Sequence, residues 1–239
     1  MERVLTKYRF QSPKITQPLR FIIVSDLHNE PWDDLLPRLQ GYDALLMPGD
    51  LYDRYRQKGD TGLAFAAAAA KVLPVFFSPG NHDLHQPHPE DFLRAVAATG
   101  SAVLDRAWLP FGGITLGGWL GGGNAARDPF PHEFAALSGF KLLLCHKPDQ
   151  AVKFVLKENI DLILSGHAHG GQIRVNDRGL YAPGQGFLPK YTKGWVKDRL
   201  LITTGAGNPA RMPRTGNQPE IVELILENQK TEEEPACAK

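Results

Sequence analysis

Five short apolar runs in this chain each end in a polar motif built from Asp, Asn or His, and that pattern narrows the possible folds more than any other feature. The runs at 21–24, 44–47, 75–77, 142–144 and 162–164 have strand length. They lead into Ser25-Asp26-Leu27-His28, Pro48-Gly49-Asp50, Pro79-Gly80-Asn81-His82-Asp83, Cys145-His146 and Ser165-Gly166-His167-Ala168-His169. Strand-length runs separated by helical stretches argue for an α/β architecture. In open α/β sheets ligands bind beyond the carboxyl ends of the strands, so five strand ends would converge on one rim and each deliver a polar group. Gly49, Gly80 and Gly166 let the backbone turn sharply there and keep bulk away.

Helices are expected at 32–40, 62–72, 89–99 and 149–158; the alanine run from Ala66 to Ala70 reads as a tightly packed helix, alanine being the best helix former. After His169 the texture changes to short strands and Gly- and Pro-rich turns, closing on a strand at 220–226. With no internal repeat and no linker, the expectation is one domain over residues 1–226 and a polar, frayed tail over 227–239.

The formal net charge of +1 gives no reason to expect nucleic acid, and the bases form no dense cluster, so no stable nucleic-acid partner is expected. Between positions 174 and 214, however, Arg174, Arg178, Lys190, Lys193, Lys197, Arg199, Arg211 and Arg214 face only Asp177 and Asp198. A basic stretch beside the polar rim would attract an anionic substrate. The cysteines are Cys145, in an apolar run, and Cys237, in the polar tail, so a disulfide framework is not expected. No run of about 18 apolar residues exists to span a bilayer, and the first residues lack the apolar core of a signal peptide. The expected location is cytoplasmic, or membrane-associated or exported if an upstream anchor has been removed.

Taken together the motifs supply oxygen and imidazole donors for two adjacent divalent cations, with a histidine to spare. Two such cations and a free histidine are the working parts for hydrolysing a phosphate ester. Carboxylates bridge cations, neutral imidazoles suit transition metals, and an Asn carbonyl adds an oxygen without charge. With no thiolate in the set, Mn, Fe, Zn, Co and Ni all fit, and Mn is the favoured expectation.

The ordered motifs resemble those of the calcineurin-like metallophosphoesterase superfamily from about residue 20 to 226. The stretch from Ser165 to Gln172, with Pro183, Pro189, Gly194, Gly205 and Pro219-Glu220-Ile221, is similar to a bacterial subgroup of small single-domain phosphodiesterases. Members of that subgroup often carry an upstream anchor or twin-arginine signal, and neither is expected from the residues at the start of this sequence. The resemblance implies a four-layer α/β/β/α sandwich with two mixed sheets. It also implies one metal on Asp26, His28, Asp50 and His169, and a second on Asp50, Asn81, His146 and His167, with Asp50 bridging. Attack by a metal-bridging hydroxide would follow, with His82 as general acid and Asp53 as its orienting carboxylate; Asp83 is the rival for that last role. Arg54 corresponds to an arginine that grips phosphate in the protein phosphatase branch, although Tyr55 stands where that branch has glycine.

The resemblance favours hydrolysis of phosphodiester or pyrophosphate bonds in a small-molecule or lipid-linked substrate, and a substrate at a peripheral membrane surface is compatible with it. A phosphomonoesterase or phosphoprotein phosphatase is the alternative, and a non-catalytic scaffold of the same fold would require gaps in the ligand set that are not seen. Trp119, Phe187, Tyr191 and Trp195 are candidates to frame such a substrate. His85 and His88 read as a proline-bounded surface turn and His132 as incidental. The glycine-rich stretch from Gly117 to Gly123 lacks the ending a phosphate loop requires and reads as a strand followed by a turn.

Overall fold

The computed structural model describes residues 2–55, 61–183, 185–208 and 214–229. In chain order the strands are β1 (Val4–Ser12), β2 (Leu19–Ile23), β3 (Ala44–Pro48), β4 (Val75–Ser78), β5 (Ala102–Val103), β6 (Ala107–Phe111), β7 (Ile114–Gly118) and β8 (Lys141–Leu144). They continue as β9 (Leu162–Ser165), β10 (Arg174–Val175), β11 (Arg178–Gly179), β12 (Tyr181–Ala182), β13 (Gly186–Phe187), β14 (Gly194–Val196), β15 (Leu200–Ile202) and β16 (Glu220–Asn228). The helices are α1 (Thr61–Ala69), α2 (Asn81–Leu84), α3 (Pro89–Ala98), α4 (Phe130–Ala135) and α5 (Pro148–Gln150), the last running on as a π-type turn over Ala151–Val155.

Two mixed six-stranded sheets result, in the orders β1-β16-β2-β3-β4-β5 and β14-β15-β9-β8-β7-β6. Their central strands are parallel, β2 to β5 in one and β7-β8-β9-β15 in the other. Strands buried on both faces read as unbroken apolar runs, and alternate side chains show why. Ile23, Leu46, Leu142, Leu144, Leu162 and Leu164 point into the layer between the sheets. Their neighbours Ile22 and Leu45 pack outward under Phe65 of α1 and Val96 of α3. Leu143 and Ile163 pack outward under Phe134 of α4 and Val155. The molecule is thus helix, sheet, sheet, helix, the four-layer arrangement that the resemblance implies.

Four local expectations need correction. The 32–40 segment forms turns and a short 3-10 helix at Leu36–Leu39, where the Pro37 ring removes an amide donor. The 62–72 helix ends at Ala69, and the 149–158 helix changes to π-type hydrogen bonding, with the Leu156 amide donating to Ala151 O at 2.9 Å. The closing strand continues to Asn228, two residues into the expected tail; residues 230–239, with Cys237, lie outside the described residues, as does Arg211. Strand β1 has no counterpart in the sequence reading. Among the described residues no helix is long and apolar enough to cross a membrane.

Phe21 is fully buried between the sheets. Phe21→Ala is expected to cost about 3–5 kcal/mol, read as a lower urea midpoint with an unchanged slope. Glu223 on β16 is buried and takes Arg20 Nη2 at 2.8 Å and Lys7 Nζ at 3.1 Å. The hydrogen bond from Arg20 leads in holding its carboxyl below the ordinary value of 4.5. Because the folded-state pKa is depressed, this contribution is present above pH 4.5 and is lost as pH falls through the folded value. Glu223→Gln should therefore flatten the acid limb of the stability–pH curve below about pH 4.5, measured by urea unfolding.

Candidate metal centre

The loops after β2, β3 and β4 in one sheet and after β8 and β9 in the other meet at one rim. They are woven together before any side chain is considered. The Asp26 amide donates to Gly49 O at 2.9 Å, the His28 amide to Asp50 O at 3.1 Å, and the Gly166 amide to His146 O at 3.0 Å. Asp26, His28, Asp50, His167 and His169 all have positive φ, between 45° and 65°. A left-handed backbone costs an L-residue on the order of 1 kcal/mol, and Asp and His are among the types that tolerate it. This local cost aims the side chains inward from tight loops rather than along the strands.

The clearances are equally tight. A Cβ on Gly80 would stand 2.1 Å from Asp50 Oδ1, one on Gly166 2.2 Å from Asp26 Oδ2, and one on Gly49 2.5 Å from His146 Nδ1. Each of these motif glycines is required by the carboxylate or imidazole that leans against it.

Three donor groups form, each with its ligand atoms within 4.8 Å of one another: Asp26, His28 and His169; His28, Asp50 and His82; and Asp50, His146 and His167. Asp50 is shared. Its Oδ2 lies 3.1 Å from His146 Nε2 and 3.7 Å from His28 Nε2. On the other side, His169 Nε2 is 3.5 Å and His28 Nε2 3.9 Å from Asp26 Oδ1. Asn81 sits beside this set at the start of α2, buried.

The residues present fit a pair of cations. Both ring nitrogens of His28, Asp50 Oδ2, Asn81 Oδ1 and His146 Nε2 are buried without a hydrogen-bond partner. A buried polar atom left unmatched costs about 1–3 kcal/mol, and a cation would satisfy several of them at once. His146 Nδ1 donates to Pro48 O at 2.8 Å, which leaves Nε2 as the lone-pair nitrogen facing Asp50. The electrostatics call for positive charge. Burial opposes a proton on His146, yet the Asp50 and Asp26 carboxylates outweigh it and raise its pKa to about 9. Burial alone dominates at His28 and His167, lowering both to about 3, and at Asp26, raising it to about 6.

His82 stands apart from the two clearest donor groups. Its amide donates to Asp50 Oδ1 at 2.8 Å, and its ring packs edge-on against that of His28 with centroids 4.5 Å apart. Its Nδ1 faces Asp53 Oδ1 at 3.5 Å, a long separation of the kind common in a catalytic pair before substrate binds. Burial works against the charge on Asp53, and the His82 ring and the Tyr55 amide outweigh it, holding the carboxyl below its usual range. Asp83 does something else. It accepts the amides of Asp50 (2.8 Å), Gly80 (2.8 Å) and Tyr52 (2.9 Å), binding the β3 and β4 loops together beneath the donors.

A cavity of about 660 Å³ opens over Asp50, Asn81, His82, His167 and His169. Arg54 lines it with its guanidinium 4.6 Å above the Tyr55 ring and Nη2 donating to the Tyr55 hydroxyl at 2.5 Å. His85 is exposed in a bend before Pro87, the surface turn expected, and it also reaches this wall, with Nδ1 on Asn81 O at 2.7 Å. None of the four aromatics expected to frame a substrate lines it. Trp119 is buried with Nε1 on Asp128, Tyr191 and Trp195 pack against the cores, and Phe187 is exposed at the open end of the β12–β13 hairpin; Tyr55 and Tyr181 take the place instead. His132 lies within α4, on the surface, 3.3 Å from Glu158.

Arg214, from the basic stretch, lies behind His169. Its Nη2 sits 3.2 Å from His169 Nδ1 and donates to Gly207 O, while Nε and Nη1 are buried without partners. A guanidinium only donates, so this contact places the His169 proton on Nε2, facing Asp26. Ligation through Nε2 therefore requires Arg214 to release Nδ1.

Residues 19–171 match the calcineurin-like phosphoesterase family, and the chain belongs to it. The class consists of metal-dependent phosphoester hydrolases. The chain is 28% identical over 221 residues to the uncharacterized protein YpbG of Bacillus subtilis, covering 85% of this chain and 79% of that one. It is 27% identical over 234 residues to an uncharacterized metallophosphoesterase of Campylobacter jejuni, covering 91% of this chain and 62% of the relative. A transmembrane protein with metallophosphoesterase domain from Bos taurus is 24% identical over 245 residues, covering 90% and 54%. The chain thus spans little more than half the length of some curated relatives it matches.

Gly80→Ala tests the clearance. A Cβ driven into Asp50 is expected to lower bound manganese, measured by atomic absorption after dialysis, by more than tenfold while far-ultraviolet circular dichroism stays unchanged, because a ligand displaced by about 1 Å loses its coordination.

Proposed function

We propose that the chain hydrolyses phosphodiester or pyrophosphate bonds with two divalent transition metals, manganese favoured. Asp26, His28, Asp50 and His169 would hold one, and Asp50, Asn81, His146 and His167 the other. The observation that carries this reading is the position of Asp50, one carboxylate belonging to donor groups on both of its sides. When bound, the cations supply Lewis acidity that activates water as a nucleophile and offsets phosphoryl charge.

The protein's own groups account for the rest. His82 lines the cavity with Nδ1 toward Asp53, which fixes the ring and leaves its other nitrogen to give a proton to the departing oxygen. Asp53 acts through His82 and is a positioning residue. Asp83 keeps Asp50 and Asn81 in register by clamping the amides of their loops. Arg54 lines the same cavity, its guanidinium stacked on Tyr55 with Nη2 on the Tyr55 hydroxyl and Nε without a partner, so it can meet a substrate phosphate.

The test uses chelator-stripped protein reloaded with manganese and assayed on bis-p-nitrophenyl phosphate beside p-nitrophenyl phosphate. Turnover should require metal and favour the diester. Asp50→Asn should lose both metal and activity. His82→Ala should keep its metal and lose roughly 10²–10⁴-fold in kcat. Asp53→Asn should lower kcat with little change in KM and move the alkaline limb of the pH–rate profile, where a general acid loses its proton, which a purely structural role would leave in place. Diester turnover unaffected by chelation would sink the proposal, and a preference for the monoester would restore the phosphatase alternative.

A further inference from the structure

Of the eight large apolar side chains exposed among the described residues, four fall between positions 175 and 188: Val175 (54% exposed), Tyr181 (43%), Phe187 (86%) and Leu188 (70%). Two hairpins carry them. In β10–β11, Val175 pairs with Arg178 across an Asn176-Asp177 turn with φ of 48° and 61°, the positive values a two-residue hairpin turn demands. In β12–β13, Tyr181 pairs with Phe187, their ring centroids 5.8 Å apart. Leu188 follows, its amide on Leu180 O at 3.0 Å, while the Leu180 amide donates to Ile173 O at 2.9 Å, so the hairpins stand side by side.

Beside these apolar side chains lies a cavity of about 500 Å³ walled by Arg174, Arg178, Lys190 and Lys193, with Asp177 the one acid. Two of these bases are committed. Arg174 donates to Gly170 O and to the Thr192 hydroxyl, and Lys193 pairs with Glu220 at 3.2 Å. Arg178 and Lys190 have no acidic partner among the described residues, and both are exposed.

We propose that this pair of hairpins is a docking surface for an anionic lipid bilayer. Val175, Phe187 and Leu188 would enter the acyl boundary while Arg178 and Lys190 meet headgroup phosphates. Exposed apolar side chains beside two unpaired bases complement a surface that is apolar within and negative at its edge. A protein partner offering the same face would need an acidic rim around an apolar pit, whereas a bilayer presents that combination everywhere. The surface adjoins the metal centre through Tyr181, which lines the main cavity while its ring contacts Phe187. Docking would therefore hold the cavity mouth close to the headgroup plane and select a lipid-linked phosphoester as substrate, a consequence that rests on the phosphoesterase reading.

The test is sedimentation of the full chain with vesicles of phosphatidylcholine alone and of phosphatidylcholine containing about a quarter phosphatidylglycerol. Binding is expected with the anionic vesicles and is expected to fall away in high salt. Arg178→Gln and Lys190→Gln should each weaken partition roughly fivefold, and Phe187→Asp with Leu188→Asp by more than tenfold. Turnover of soluble bis-p-nitrophenyl phosphate should be unchanged in all of them, showing that the variants are folded. Equal sedimentation with and without phosphatidylglycerol, or undiminished binding by the Phe187 and Leu188 double variant, would overturn the proposal. Failure of the phosphoesterase reading would show instead as absent turnover of the soluble diester with vesicle binding intact.

Discussion

The carboxylate of Asp50 is the point on which this structure turns. Its amide is held by Asp83, its carbonyl by the His28 amide, one oxygen by the His82 amide, and the other stands among the rings of His146 and His28. One residue thereby ties the loops after β2, β3 and β4 to the loop after β8. A buried carboxylate is tolerable only with compensating charge or hydrogen bonds, and the neighbourhood of Asp50 supplies both in part while leaving Oδ2 unmatched. The strained backbone at five candidate ligands and the crowded glycines are the local conditions for keeping that carboxylate where it is.

Much of this was legible in the chain because the two sheets are buried on both faces. Burial on both faces turns a strand into an unbroken apolar run, so the ends of β2, β3, β4, β8 and β9 could be located, and with them every residue of the donor groups. The spacing of Asp26 and His28, or of His167 and His169, marked side chains that tight loops could bring into one volume, and the structure does so. The choice between Asp53 and Asp83 was not available from spacing. Both lie within three residues of a candidate ligand, and only the path of the β4 loop sends Asp83 under the backbone and Asp53 toward His82.

What escaped the reading escaped for identifiable reasons. β1 alternates half-buried Val4, Thr6, Tyr8 and Phe10 with exposed Leu5, Lys7, Arg9 and Gln11, an edge-strand pattern in which polar residues interrupt every apolar step. Its place is set by parallel pairing with β16, more than two hundred positions away, which no local signal announces. Arg214 looked like one of many surface bases, and only the fold packs it against His169. The four aromatics chosen to frame a substrate were chosen by residue type. Packing took Trp119, Tyr191 and Trp195 into the cores and left Phe187 in solvent.

The bonds that cross the rim carry a consequence for how such a protein tolerates change. Facing sheets are ordinarily spaced about 10 Å apart by the bulk of the side chains between them, so the gap shifts whenever the core is repacked. At the rim the spacing is set differently: the His167 amide grips Asp26 at 2.9 Å and His146 Nδ1 grips Pro48 O at 2.8 Å, each joining one sheet to the other. Polar bonds of fixed length act as spacers that do not depend on interior volume. The leucines of the sandwich can therefore trade shape at constant total volume, while the distance between the two halves of the centre stays put.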